Sequence, residues 1–163
     1  MKLKTHLLAL MMPLLLVGCG TDSMLQGAKD FVLPPGRILD WDSVVFVMPP
    51  AVNRNFPVAV DIVSVHDQAL VEKMLTMKAA DWFAARDGLL KTYPGLQSQS
   101  WELAPGDSKR ISAERFRERR IFAVLAFADY FAAGEHRVRL DELRGVITLE
   151  FDSSDFSARM ARK

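Results

Sequence analysis

The chain has 163 residues, half of them apolar and a quarter charged, with a formal net charge of +1. That length suits one domain with a sizeable core, and the composition is globular rather than disordered, while the near-neutral balance removes the bulk electrostatic case for nucleic-acid binding. A single cysteine excludes a disulfide framework within the chain and any multi-cysteine zinc site.

Residues 1–6 carry Lys2 and Lys4 and no acid, and residues 7–17 are apolar, broken only by Pro13. A basic start followed by an apolar stretch reads as a signal peptide. The stretch is too short to cross a bilayer as a helix, which takes ~20 apolar residues. It closes on Leu16-Val17-Gly18-Cys19, which resembles the lipobox of bacterial lipoproteins. The resemblance implies a signal peptide of residues 1–18, cleavage before Cys19, a diacylglycerol on the Cys19 sulfur and an acyl chain on the new amine. No other cofactor is expected. Loss of Lys2 and Lys4 leaves 19 basic against 20 acidic residues. Burial of an acyl chain is worth ~0.8 kcal/mol per methylene, and two or more chains anchor stably. Gly20 follows the cysteine. In lipoproteins of this kind an aspartate there marks inner-membrane retention, so its absence favours the periplasmic face of the outer membrane.

Residues 19–36 contain Gly, Ser, Thr, Asp and Gln, show little periodicity before Pro34-Pro35, and read as a flexible tether. At ~3.5 Å per residue its reach keeps the following body close to the bilayer. Residues 37–163 read as a single domain, mostly of strands. Residues 43–48 are β-branched and apolar and stop at Pro49-Pro50. Residues 57–65 alternate through Val58, Val60, Ile62 or Val63, and Val65, with Pro57 at the start, where a strand tolerates it. Asp67 is placed to cap a helical excursion of about 67–92, in one or two helices with a break near Thr76, ended by Pro94-Gly95. Its Met and aromatic stripe is expected to pack on the sheet. Residues 101–104 read as a short strand, Pro105-Gly106-Asp107 as a turn and residues 109–112 as the next strand. The unbroken apolar run 121–128 predicts a central strand buried on both faces, with a helix as the alternative. Residues 136–140 suit an edge strand, and 146–151 the last one; the basic tail from Ser157 is expected to fray. About seven strands and one helical insertion after the second strand predict a mainly β, two-sheet β-sandwich.

Chemistry is sparse. Past the leader the only histidines are His66 and His136, neither with a second ligand at helical spacing, so no metal site is expected. No nucleophile elbow, phosphate loop or dinucleotide fingerprint occurs, and no catalytic residue is assigned. Glu150, Asp152 and Asp155 cluster at the last strand's end, where solvation explains them. Arg110, Arg115, Arg117, Arg119 and Arg120 would protect an exposed strand edge, with Arg115, Arg117 and Arg119 on one side of a strand, or meet lipid headgroups or an acidic partner.

A lipidated leader, a tether and then strand, loop, strand, helix and further strands resemble the outer-membrane lipoprotein family of the type VI secretion system, TssJ. The residues that carry the resemblance are residues 43–48, the loop to Asn53-Arg54-Asn55-Phe56, the strand Pro57-Val58-Ala59-Val60-Asp61-Ile62-Val63, Ala79-Ala80-Asp81-Trp82-Phe83, and Glu102-Leu103-Ala104-Pro105-Gly106-Asp107. Asp61 stands where the family usually has arginine. The resemblance implies a transthyretin-like sandwich without catalysis. It would hold the periplasmic C-terminal domain of an inner-membrane secretion-complex protein, TssM-like, close to outer-membrane lipid. The loop between the first two strands would make the contact, through Val52, Asn53, Arg54 and Phe56. A pilotin-like or conjugation-system assembly lipoprotein, or a periplasmic ligand-binding lipoprotein, are the alternatives. A pocket joining His66 or His136 to carboxylates would favour the last.

Overall fold

The computed structural model describes residues 36–116 and 120–160. The leader, Cys19, most of the tether, Arg117, Arg119 and the last three residues lie outside the described residues. The strands are β1 (Trp41–Val47), β2 (Val58–Val65), β3 (Leu96–Leu103), β4 (Ser108–Ser112), β5 (Ala123–Ala128), β6 (Arg137–Arg139), β7 (Gly145–Phe151) and β8 (Phe156–Met160). Two helices, α1 (Val71–Thr76) and α2 (Ala79–Thr92), fall between β2 and β3. The strands form two four-stranded sheets, β4-β1-β7-β8 and β3-β2-β5-β6. All described pairings are antiparallel except β1 with β7.

The strand period of two explains how β2 and β5 serve two cores at once. Val58, Val60 and Ile62 of β2, with Val124, Ala126 and Ala128 of β5, face the other sheet and meet Trp41, Val44, Phe46, Ile147 and Leu149. The opposite face carries Val63 and Val65 with Ala123, Leu125 and Phe127, against Met74, Ala79 and Trp82 of the helices. The fold is therefore a sandwich with a third, helical layer. The run 121–128 is apolar without a break because six consecutive residues, Ala123–Ala128, are buried between two layers.

The helical insertion follows its local signals. Asp67 Oδ1 accepts the Ala69 amide at 2.9 Å, capping the first turn. The break falls where expected: the Thr76 hydroxyl bonds back to the Glu72 and Lys73 carbonyls, and Met77 is extended. Past α2 the chain returns at Gly95, where any Cβ would stand 2.8 Å from the Asp67 Cβ, so only glycine fits. Trp82 stacks on Phe127 at 5.4 Å and donates its indole N–H to Asp61 Oδ2 at 2.8 Å. Arg86 reaches the same oxygen at 3.0 Å. The aspartate at position 61 is thus buried under the helical layer and partnered by it.

Four expectations need correcting. β3 begins at Leu96 rather than Trp101, because residues 96–103 pair in full register with β2 even though Gln97, Ser98, Gln99 and Ser100 give no apolar alternation. The chain from Phe156 does not fray: β8 pairs with β7, and Phe156 stacks on Phe151 at 5.3 Å. That makes eight strands among the described residues instead of about seven. Arg115 lies in a 3-10 turn, Ala113–Phe116, and not along a strand with its neighbours. Arg110 is on edge strand β4, where it donates to the Ser43 hydroxyl at 2.7 Å.

Candidate interaction surface

β1 and β7 run parallel and end together, beside the start of β2, the end of β5 and the turn into β8. Three connections meet at this end of the sandwich: β1–β2, β5–β6 and β7–β8. Pro49 and Pro50 stop β1, since neither can donate to a ladder. The chain then turns through Val52–Asn55, where Asn53, Arg54 and Asn55 have φ of 47°, 56° and 66°. Asparagine tolerates this left-handed region, whereas an arginine there costs on the order of 1 kcal/mol that surrounding contacts must offset.

Asn53 supplies those contacts. Its amide Nδ2 donates to the Pro57 carbonyl at 3.2 Å, and its Oδ1 accepts the Phe131 backbone amide at 3.0 Å. Its own backbone N–H donates to the Ser153 carbonyl at 3.3 Å, and its carbonyl accepts from Phe56 at 3.0 Å. One side chain and its peptide groups thus tie all three connections together. Val52 beside it is 1% exposed and packs in the inter-sheet core.

The four residues expected to form a partner contact therefore divide. Val52 and Asn53 are buried and build the loop; Arg54 and Phe56 are exposed at its tip. Phe56 is 55% exposed, and against its ring stands Phe131, 60% exposed, with centroids 5.3 Å apart at 88°. Edge-to-face geometry is the favourable arrangement for two rings. Sequence reasoning missed Phe131. Its only signal was a large aromatic residue just before a glycine-containing turn, and nothing in the order of residues brings it to Phe56.

The rest of this end is braced. The Tyr130 hydroxyl contacts the carbonyl oxygens of Asp155 at 2.7 Å and Asp152 at 3.1 Å. Burial is the main cause that pushes its phenol above the ordinary value, so it stays protonated as the donor. His136 is buried with φ of 43°; its Nδ1 lies 3.0 Å from Asp155 Oδ1 and its Nε2 2.8 Å from the Ala132 carbonyl. Gly134 passes so close that a Cβ would meet the imidazole at 2.5 Å. A shallow cavity of about 220 Å³ lies here, lined by Lys78, Asp129, Tyr130 and His136 among alanines. Both histidine nitrogens already have protein partners, and Tyr130 is held by carbonyls. The cluster is built to brace loops.

The other carboxylates of the last strand are similarly occupied. Glu150 pairs with Arg159 at 3.0 Å, and Asp152 and Asp155 sit in the β7–β8 turn, so no carboxylate pair shares a strand face. His66 Nδ1 lies 3.1 Å from the Arg120 carbonyl.

The described chain begins at the opposite end of the sandwich. Arg37 exchanges both backbone hydrogen bonds with Ile121 at 2.8 Å, just before β5 begins. β1 then runs seven residues toward the aromatic pair, or roughly 20 Å at ~3.3 Å per residue.

These elements define a mainly β, two-sheet sandwich with a loop-built end, and the fold is TssJ-like. No protein-family profile and no curated protein sequence matches the chain. Solved structures do. The chain is similar to the T6SS lipoprotein TssJ1 from Pseudomonas aeruginosa, with a TM-score of 0.56 at 17% identity, over 77% of this chain and 100% of that one. A chain of a type VI membrane complex matches with a TM-score of 0.58 at 15% identity, over 77% and 100%. Serratia marcescens Lip, a membrane-bound component of the type VI secretion system, matches with a TM-score of 0.50 at 14% identity, over 74% and 96%. At these identities the likeness is one of fold, and it spans most of the chain.

Proposed function

We propose that this chain is a structural lipoprotein of a type VI secretion membrane complex, without catalysis, anchored by acyl chains on Cys19 to the periplasmic face of the outer membrane. Residues 1–18 are its signal peptide and residues 19–36 its lipidated cysteine and tether. Residues 37–163 form the domain that binds the periplasmic C-terminal domain of an inner-membrane, TssM-like partner.

The observation that carries this reading is the end-to-end polarity of the domain. The chain enters at one end, and the braced loop end with Arg54, Phe56 and Phe131 exposed lies at the other. A tether at the first end leaves the second free to face a partner across the periplasm. Exposed aromatic and arginine side chains on a rigid support are the residue types that dominate binding energy at protein interfaces. Preorganisation by Asn53 and Tyr130 lowers the ordering cost of binding. Confinement to a membrane raises effective concentration, so a small contact suffices.

Two measurements test it. Cys19→Ser is expected to abolish acylation and membrane association. In pull-downs of the partner's periplasmic domain, Arg54→Ala, Phe56→Ala and Phe131→Ala should each weaken capture. Unchanged capture by all three variants rejects the surface. Normal maturation and membrane retention of Cys19→Ser rejects the anchor.

A further inference from the structure

The β5–β6 connection carries Phe131 and is tied down on both sides of it. Before the ring, the Phe131 amide donates to Asn53 Oδ1 at 3.0 Å. After it, the Ala132 carbonyl stands 2.8 Å from His136 Nε2. The other ring nitrogen, Nδ1, lies 3.0 Å from Asp155 Oδ1 in the β7–β8 turn. That carboxylate is itself fixed, since the same oxygen accepts the Phe156 amide at 2.9 Å. A carbonyl and an ionised carboxylate are acceptors only, and a neutral imidazole has one N–H. Both contacts are hydrogen bonds only when both ring nitrogens carry protons.

We propose that His136 is a proton-operated latch for the loop that presents Phe131. As imidazolium it joins the Ala132 carbonyl to the Asp155 carboxylate and locks the β5–β6 connection to the β7–β8 turn. Loss of one proton to solvent leaves a single N–H. The charged acceptor keeps it, because a hydrogen bond to an ion is the stronger one. The Nε2 lone pair then faces the Ala132 oxygen, and the two repel. The connection is released beside Phe131 while the Asp155 bond stays.

The surroundings of the ring fit a cation. Burial, with His136 only 6% exposed, opposes charge. Against it stand the Asp155 carboxylate and the Tyr130 ring, whose centroid is 4.9 Å away at a tilt of 37°. Among the charged groups on the neighbouring elements, Lys78 and Asp129 line the cavity beside the ring, one of each sign. Glu135 is paired with Arg137 at 2.8 Å, and the Asp152 carboxylate accepts the Ser153 amide. The ring is held in place by its own backbone, at φ of 43°, and by Gly134, which passes against its face. The latch is read from the geometry of the loop end and does not depend on the function proposed for that surface.

An NMR titration of the full chain in detergent tests it. Between about pH 5 and 8 imidazole changes charge while carboxylates and phenols keep theirs. In the wild type the Ala132 and Ala133 amides should shift in step with the His136 ring. Their exchange protection, corrected for the intrinsic rate, should fall about tenfold toward the alkaline side, as one hydrogen bond is lost. His66, at the far end of the sandwich, should titrate without moving them. His136→Asn suits the positive φ but cannot titrate, and should remove both effects. Asp155→Asn, at a side chain 66% exposed, keeps an acceptor without the charge and should move the loop transition to lower pH. A ring that carries one proton throughout overturns the proposal, as do amides that stay still while the ring titrates. So does a transition that persists in His136→Asn, or one that Asp155→Asn leaves in place.

Discussion

Asn53 Oδ1 accepts the backbone amide of Phe131 at 3.0 Å, across 78 positions of sequence. This bond sets the relation between the two exposed rings of the loop end. Removing a partner from a buried polar group costs about 1–3 kcal/mol. Asn53→Ala strips the bonds to both Phe131 and Pro57 and puts an alanine at positive φ, so it should destabilise by about 3 kcal/mol in urea unfolding. Arg54→Ala, one residue on and exposed, should change stability by less than about 0.5 kcal/mol.

The rings themselves should act as a pair. Phe56→Ala and Phe131→Ala remove exposed side chains, so each should leave folding nearly intact. A double-mutant cycle on stability should return a coupling of about 0.5–1.5 kcal/mol, the range for an edge-to-face contact. Val52→Ala is the contrast. It empties core volume beneath the loop and should cost about 2 kcal/mol.

Asp61 is 1% exposed, and its Oδ2 is shared by Trp82 and Arg86. Breaking a buried ion pair from one side leaves an uncompensated charge, a loss of about 3–5 kcal/mol when both groups are fully buried. The Arg86 side chain is 36% exposed, so Arg86→Ala should cost less, about 2 kcal/mol. Asp61→Asn in the Arg86→Ala background removes the orphaned charge and keeps an acceptor for the indole, so it should restore part of the loss. Chemical denaturation of the wild type and the two variants measures this.

Tyr130 should govern part of the alkaline stability. Its phenol is raised above the ordinary 10.0, chiefly by burial. Above that pH the unfolded chain gives up the proton while the folded chain keeps it, so the folded state is penalised as pH rises. The contribution is complete below 10.0 and is lost progressively above it. Tyr130→Phe should lower stability near neutrality by about 1 kcal/mol, through the lost carbonyl bonds, and should flatten the alkaline decline relative to wild type.

Much of this architecture was legible in local patterns. Pro49-Pro50 and Pro57 bound the β1–β2 loop because proline cannot donate to a ladder. The run 121–128 announced a strand covered on both sides, and Asp67, Thr76 and Gly95 marked the start, break and end of the helical insertion within a residue or two. The first half of β3 and the whole of β8 escaped for one reason. β3 from Leu96 and β8 from Phe156 earn their order from hydrogen bonds to β2 and β7, not from apolar alternation of their own. The arginines at 115–119 looked like one strand face because alternation was counted where Arg115 in fact sits in a turn.

By itself the sequence determined a mainly β domain with a helical insertion, a loop framed by prolines and a lipobox-like cysteine ahead of it. These are encoded in period, composition and spacing, which act over a few residues. Only the tertiary structure decided which loop residues are exposed. It turned Val52 and Asn53 inward, turned Arg54 and Phe56 outward, and brought Phe131 from a distant connection to complete the surface. The physical reason is that exposure in a loop depends on which backbone groups its side chains satisfy, and Asn53 satisfies groups on three connections that are remote from one another in sequence.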